Sequence, residues 1–118
     1  MINFKRLGQE VMERLETLGK ISQSSEHLDR RYLTEQHKEA NQLVGSWMEA
    51  AGMQTWQDQA GNLWGRFEAK DANAPRFIMG SHLDTVPNGG KYDGMLGVVA
   101  PVTLIEAFQA EGIRLPFH

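Results

Sequence analysis

The chain has 118 residues, of which 41% are hydrophobic, and a formal net charge of −3. This length suits one small domain or one piece of a larger domain, and the absence of a basic stripe argues against nucleic acid as a partner. No apolar run approaches the roughly 20 residues of a membrane span, so we expect no membrane partner either. With no cysteine, any metal site must use nitrogen and oxygen ligands. The N-terminus lacks a signal-peptide pattern, and we expect a cytoplasmic protein.

Two amphipathic helices are predicted in the first half of the chain. Apolar residues recur at helical spacing up to Gly19, which predicts a helix over residues 3–18. Residues 20–33 are polar without a clear period and read as a long connection, of the kind that is often functional or mobile. Thr34 is a good N-cap, and the apolar pattern that ends at Gly52 predicts a second helix over residues 35–51.

The sheet and a third helix are predicted from residue 53 onward. Residues 53–57 and 63–68 read as two strands around a turn. The unbroken apolar run Phe77-Ile78-Met79 predicts a central strand, Phe77–Ser81, covered on both faces. A loop over residues 84–94 precedes a helix from about 95 to 110.

Two features near the end of the chain complete the predicted fold. Pro101 either kinks the third helix or marks its first turn. Residues 115–118 look like the opening of another strand. This order of elements predicts the start of an α/β sandwich around a mixed sheet.

The strongest functional signal lies directly after the predicted central strand. His82 and Asp84 are two residues apart in an extended chain, so they share a face at the carboxyl end of that strand, where open α/β sheets place their sites. Imidazole and carboxylate ligands suit zinc, manganese or cobalt. Gly89, Gly90 and Gly94 allow a sharp turn that could bring Asp93 back toward His82. Asp93 is therefore a candidate second ligand that could bridge two ions.

Each part of this pattern also has an ordinary explanation. Asp93-Gly94 alone is a common turn, Asn88-Gly89 is a hairpin signal, and Asp84-Thr85 could cap a turn. The combination of apolar strand, His-x-Asp, glycine-rich loop, Asp-Gly and helix favours a metal site. The other histidines lie outside ligand-spaced motifs: His27 and His37 are expected to be solvated, and His118 to be disordered at the chain end.

Residues Gly80–Ala100 resemble a family of dinuclear-zinc metallopeptidases and amidohydrolases. Within that family, Gly-Ser-His-Leu-Asp-Thr-Val and Asn-Gly-Gly-Lys-Tyr-Asp-Gly-Met-Leu-Gly-Val are most similar to N-carbamoyl-L-amino-acid hydrolases, ureidopropionases and allantoate amidohydrolases. The resemblance continues upstream in residues 49–53 and 60–66. It covers most of residues 30–118.

The resemblance implies a role for each residue of the motif. His82 would be a terminal metal ligand, Asp93 would bridge two ions, and Asp84 would be the catalytic carboxylate that orients His82. The peptide bond after Asp93 would be cis. A complete site would hold two divalent ions, zinc or manganese, with cobalt or nickel possible.

The resemblance also implies the context of the chain. Residues 1–118 would be the N-terminal part of the catalytic domain, a zinc-peptidase-like α/β/α sandwich with a mixed sheet. A glutamate general base, further ligands and a lid and dimerisation domain would lie beyond His118. The full-length enzyme would be a homodimer that hydrolyses C–N bonds in a small ureido or carbamoyl substrate, while this chain alone would be inactive.

Two alternatives remain at this point. An aminopeptidase or deacylase of the same family would share this half of the site. A truncated, non-catalytic module could instead associate with partners through its exposed sheet edge.

Overall fold

Five regular elements make up the chain in the computed structural model, which describes all 118 residues. In chain order they are helix α1 (Phe4–Leu18), helix α2 (Glu35–Ala50), strand β1 (Gln54–Gln57), strand β2 (Leu63–Arg66) and helix α3 (Leu96–Ala110). The three predicted helices and the predicted hairpin are confirmed to within about two residues at each end, the usual uncertainty of element boundaries. None of the helices combines the length and the apolar character that crossing a membrane requires.

The helices begin where the sequence offers a cap. The side chain of Asn3 accepts a hydrogen bond from the Arg6 amide at the start of α1, and Thr34 accepts one from the His37 amide at the start of α2. Each satisfies one amide that the first helical turn leaves without a partner.

Pro101 lies inside α3, five residues after its start, rather than in its first turn. A proline here leaves the carbonyl of Gly97 without its helical donor. Gly97 is exposed, so water can solvate this carbonyl and the helix continues to Ala110.

The hairpin is antiparallel and pairs Trp56 with Trp64. The two indole rings stack with an interplanar angle of 2°. A Cβ at Gly65 would lie 2.7 Å from the Met48 sulfur, so this face of the hairpin packs closely on α2. The tryptophans therefore lie on the opposite face, because alternate strand residues point to opposite sides.

The core lies between the three helices and the loop that carries the candidate ligands. It consists of ten buried residues: Leu15, Leu18, Leu28, Ala40, Val44, Met48, Leu83, Met95, Val99 and Val102. Helix α3 packs against both α1 and α2, and α2 packs on the hairpin. Helix α2 is therefore the helix that connects the helical core to the hairpin.

The predicted central strand is the main correction. Residues 77–81 are extended but form no strand, and Phe77, Ile78 and Met79 are 58%, 69% and 56% exposed. An apolar run becomes a buried strand only when neighbouring strands pair with it on both sides. Here the only sheet is the β1–β2 hairpin.

The end of the chain nevertheless lies beside this segment. The amide of Phe77 donates to the carbonyl of His118, and the amide of His118 donates to the carbonyl of Pro75. In parallel strands, one residue bonds to the two residues that flank its partner on the other strand. His118 does this with Pro75 and Phe77, which flank Arg76. The structure forms no strand at residues 115–118, where one was predicted to open, but His118 pairs with residues 75–77 in the parallel pattern. The His118 side chain is held by Glu68 and the Ala69 amide, which corrects the expectation of disorder.

The connection between α1 and α2 has no regular structure, as predicted, but it is not merely a solvated loop. The side chain of Arg30 is completely buried. It donates to the carbonyls of Leu18, Ile21 and Leu83 at 2.7–2.8 Å and contacts the sulfur of Met95. Arg30 therefore joins three segments: the end of α1, the segment around Leu83 that carries His82 and Asp84, and the start of α3.

Arg30→Met is expected to destabilise the chain by about 3 kcal/mol or more, because three buried carbonyls lose their donor at about 1–3 kcal/mol each. Its neighbour Arg31 is the matched control, since its side chain is 57% exposed and makes one ion pair with Asp29. Arg31→Met should change the free energy of unfolding by less than about 0.5 kcal/mol. Urea denaturation followed by circular dichroism measures both. Equal losses in the two variants would contradict the role of Arg30.

His37 is buried rather than solvated, which corrects a second expectation, whereas His27 is exposed as predicted. The His37 Nδ1 accepts a hydrogen bond from the Leu33 amide at 3.3 Å. Burial lowers the pKa of His37, the charge of Asp84 opposes that shift, and the charge of Arg30 adds to it. The neutral imidazole is therefore the form that the fold accommodates.

A pH dependence of stability follows from this shift. Because the pKa of His37 is lower in the folded chain, the unfolded chain takes up the proton first as the pH falls below about 6.5. Stability is complete above that pH and decreases as the pH falls toward 5. In His37→Gln, the difference in the free energy of unfolding between pH 7.5 and pH 5, measured by denaturation, should be smaller than in the parent chain. In His27→Gln this difference should be unchanged. A loss that is unchanged in His37→Gln would refute this origin.

Candidate metal site

Hydrogen bonds attach the segment His82–Asp84 to the connection between α1 and α2. The Thr85 amide donates to the carbonyl of Arg30 at 2.8 Å, and the Arg30 amide donates to the Thr85 hydroxyl at 2.9 Å. Leu83 points into the core, while the side chains of His82 and Asp84 are 48% and 40% exposed. Because Leu83 is buried between them, His82 and Asp84 lie on one exposed face, as predicted.

The orientation of the His82 ring is defined by one short contact. Its Nδ1 lies 2.8 Å from the backbone oxygen of Asp84 and 3.7 Å from the nearer carboxylate oxygen of the same residue. A carbonyl oxygen only accepts, so Nδ1 carries the proton in this arrangement. The other nitrogen, Nε2, then keeps a free lone pair, which is the form in which histidine binds metals.

The glycine-rich loop returns to His82, as its glycines led us to expect. Gly94 lies so close to the His82 ring that an added Cβ would overlap it, and its φ is +81°. Both the close approach and the left-handed conformation call for glycine. The turn Asp93-Gly94 thus lies against His82, and the exposed Asp93 side chain comes directly before this contact.

The peptide bond after Asp93 is trans, since the chain contains no cis peptide bond. This corrects the cis bond that the resemblance implied. A cis bond before a residue other than proline costs about 3 kcal/mol. The positive φ of Gly94 alone turns the chain back to His82 here.

The loop is attached at two further points, one on the α1–α2 connection and one on α1. The Gly89 amide donates to the carbonyl of Leu28 at 2.9 Å. The Lys91 ammonium donates to both carboxylate oxygens of Glu16 on α1 at 2.8–2.9 Å, and this bond lowers the pKa of Glu16. The loop between Asp84 and Asp93 is therefore anchored to the α1–α2 connection through Gly89 and to α1 through Lys91.

Sequence reasoning did not identify two titratable groups near the site, the charged Arg30 and the neutral His37. Arg30 and His37 both interact electrostatically with Asp84. Burial lowers the pKa of the Arg30 guanidinium, and the negative charge of Asp84 opposes this. Arginine remains protonated in proteins. Arg30 therefore places a permanent positive charge near Asp84.

The donors present fit part of a metal centre. No group of three or more histidine, aspartate or glutamate side chains converges to hold an ion. Zinc in proteins usually takes about four ligands. The imidazole Nε2 of His82 and the carboxylate of Asp93 are the right types for zinc or manganese. The site therefore fits a metal only when further donors join these two residues.

Comparison with curated proteins identifies relatives over most of the chain. No family model matches. Allantoate deiminase 2 of Glycine max is 42% identical over 106 residues, which are 90% of this chain and 22% of that protein. The N-carbamoyl-L-amino acid amidohydrolase of Geobacillus stearothermophilus is 42% identical over 114 residues, which are 96% of this chain and 27% of that protein. The chain thus spans about a quarter of the length of the curated relatives it matches.

Solved structures agree with the sequence relatives. A hydantoinase/carbamoylase family amidase from Burkholderia ambifaria superposes with a TM-score of 0.85 at 32% identity, over 91% of this chain and 27% of that chain. The α/β fold class is thereby confirmed. The chain is homologous to the allantoate deiminases and N-carbamoyl-L-amino-acid amidohydrolases, and it has the fold of about a quarter of a hydantoinase/carbamoylase family amidase.

Proposed function

We propose that this chain forms part of the catalytic domain of a metal-dependent amidohydrolase. Its substrate is an N-carbamoyl amino acid or a ureido acid such as allantoate, and the bond broken is a linear C–N bond. The observation that carries the proposal is the homology to allantoate deiminases and N-carbamoyl-L-amino-acid amidohydrolases. These relatives do not favour an aminopeptidase, a deacylase or a non-catalytic module.

The residues of the site have separate tasks in this proposal. Two divalent ions, zinc or manganese, would supply an activated water and polarise the substrate carbonyl when bound. His82 offers Nε2 as a ligand because its Nδ1 is bonded to the backbone oxygen of Asp84. Asp93 offers two carboxylate oxygens, enough to bridge. Asp84 is the catalytic carboxylate beside His82: its backbone oxygen holds the ring at 2.8 Å, and its nearer carboxylate oxygen lies 3.7 Å from Nδ1.

The rest of the active site belongs to the parts of the relatives that this chain does not span. We infer that the general base, the remaining ligands and the substrate-binding groups come from there. A chain of these 118 residues would then be inactive alone, since loss of a general base costs about two to four orders of magnitude in rate. The complete enzyme would act in the cytoplasm as a homodimer.

The experiment that tests the activity uses a longer protein that includes these residues at the full length of the relatives. With zinc or manganese added, it should release ammonia or the free amino acid from allantoate or from N-carbamoyl amino acids. The 118-residue chain serves as the control and should show no turnover. A folded, metal-loaded long protein that hydrolyses neither substrate would refute the proposal.

Variants of the long protein test the individual roles. His82→Ala and Asp93→Ala should each lose stoichiometric metal, measured by elemental analysis after dialysis. Asp84→Asn should retain metal, because the backbone oxygen that bonds His82 is unchanged, but lose about 10- to 100-fold in activity, the cost typical of groups beside a metal ligand. His27→Ala removes an exposed histidine away from the site and should change neither. Full metal content in His82→Ala or Asp93→Ala would overturn the ligand assignment.

Gly94→Ala tests the packing of the loop on His82. Gly112 is a matched control, because its φ is also positive at +68° but a Cβ there would meet nothing within 4 Å. Both substitutions carry the backbone cost of about 1–2 kcal/mol for a left-handed residue. Only Gly94→Ala should also displace the His82 ring, seen as a changed imidazole NMR signal and at least about tenfold weaker metal binding. Indistinguishable spectra for the two variants would contradict this packing.

A further inference from the structure

We propose that the end of helix α1 sets the spacing between the two segments that carry the candidate ligands, and that Glu16 is a positioning residue for Asp93. The roles of His82 and Asp93 as ligands rest on the proposed function. The attachment of both segments to α1 is a property of the structure, so it can be tested without metal and without substrate.

The segment that carries His82 is attached to the end of α1 by one side chain. The Arg30 guanidinium donates to the carbonyls of Leu18 and Ile21 at 2.8 Å and 2.7 Å. Its Nε donates at 2.8 Å to the carbonyl of Leu83, the residue directly after His82. A single buried guanidinium therefore fixes the backbone beside His82 relative to the C-terminus of α1.

The turn that carries Asp93 is attached to the same part of α1 by a second side chain. The Lys91 ammonium donates to both carboxylate oxygens of Glu16 at 2.8–2.9 Å, although the two residues are 75 positions apart. Lys91 comes two residues before Asp93, so this contact holds the chain just ahead of the candidate bridging ligand. Glu16 in turn lies two residues before Leu18, whose carbonyl accepts from Arg30. Both ligand segments are therefore held by one end of one helix.

Gly19, which ends α1, gives the Lys91 side chain room to reach Glu16. A Cβ at Gly19 would lie 3.0 Å from Cδ and 3.1 Å from Cγ of Lys91, so the stem would have to move away. The backbone of Gly19 has φ −64° and ψ −15°, a right-handed conformation that any residue adopts. The close approach of the Lys91 stem, and not the backbone conformation, therefore accounts for a glycine at this position.

The end of α1 is a fixed base for these contacts, because Leu15 and Leu18 are completely buried in the core. The side chains of Lys91 and Glu16 are 45% and 49% exposed, and an exposed ion pair adds little to the stability of a fold. Its loss should therefore leave the helices intact and release the loop. Metal ligands must be held to within about 0.5 Å, so a released loop weakens a metal site without unfolding the protein.

The test compares two paired variants. The anchor variant combines Glu16→Gln with Lys91→Met, which removes the contact and leaves the net charge unchanged, so a direct effect of charge on a cation cancels. The control variant combines Glu35→Gln with Lys38→Met in the first turn of α2. These two side chains also form an exposed ion pair, with 3.9 Å between the charged atoms.

The first measurement uses the 118-residue chain without metal. Gly94 lies against the His82 ring in the structure, so the α-protons of Gly94 should show a nuclear Overhauser effect to the ring protons. This effect should be lost or weakened in the anchor variant and retained in the control variant. Gly19→Ala, which displaces the Lys91 stem, should also weaken it, whereas Gly8→Ala should not, because a Cβ at Gly8 meets nothing within 4 Å.

The second measurement is the affinity for zinc of a long protein that includes these residues, determined by competition with a chelator. The anchor variant should bind zinc about five- to tenfold more weakly than the parent, and the control variant should bind within about twofold of it. Lys91→Arg keeps a charged donor that can bond both carboxylate oxygens, and it should also remain within about twofold of the parent.

Two results would overturn the positioning role of Glu16. One is an unchanged Overhauser effect in the anchor variant with intact helical circular dichroism. The other is equal zinc affinity in the anchor and control variants. A different result separates this role from the proposed function: if the anchor variant loses the Overhauser effect and zinc affinity as expected, but the long protein hydrolyses neither substrate, the positioning role stands and the proposed function fails.

Discussion

The buried guanidinium of Arg30 is the interaction on which the arrangement of this chain depends. Taking a charge out of water is costly, and the cost is recovered only when the group's hydrogen bonds are satisfied. Arg30 meets this condition with backbone carbonyls of the α1 terminus and of Leu83 rather than with a paired carboxylate. Because these carbonyls belong to segments distant in sequence, the same side chain that closes α1 also positions the segment that carries His82 and Asp84.

The sequence allowed the locally determined elements to be predicted. The helices have periodic apolar residues, caps such as Thr34 and a glycine close after their last turn, and all of these act within a few residues. The strand predicted at Phe77–Ser81 does not form, and the sequence could not show this, because an apolar run becomes a strand only through partners supplied by other segments. The same limit applies to the α1–α2 connection, where a polar composition concealed the completely buried Arg30.

The candidate site also has a part that the sequence predicts and a part that only the fold reveals. His82, Asp84 and Asp93 lie within a short stretch, so the chemistry of their side chains and the glycines around them could be interpreted directly. The electrostatic environment of Asp84 could not be predicted from the sequence, because Arg30 and His37 approach it only in the folded chain. Arg30 and Thr85, for example, bond to each other across 55 positions of sequence.

The unpaired backbone of residues 78–81 has a consequence for motion around the site. Amides without acceptors exchange their protons with solvent freely, whereas those of Thr85 and Gly89 are bonded to the α1–α2 connection and are protected. His82 lies between the segment without backbone hydrogen bonds and the segment that has them. A candidate ligand at such a boundary is anchored by the segment that follows it, so we expect amide protons to exchange before His82 while the contacts of its ring with Asp84 and Gly94 persist.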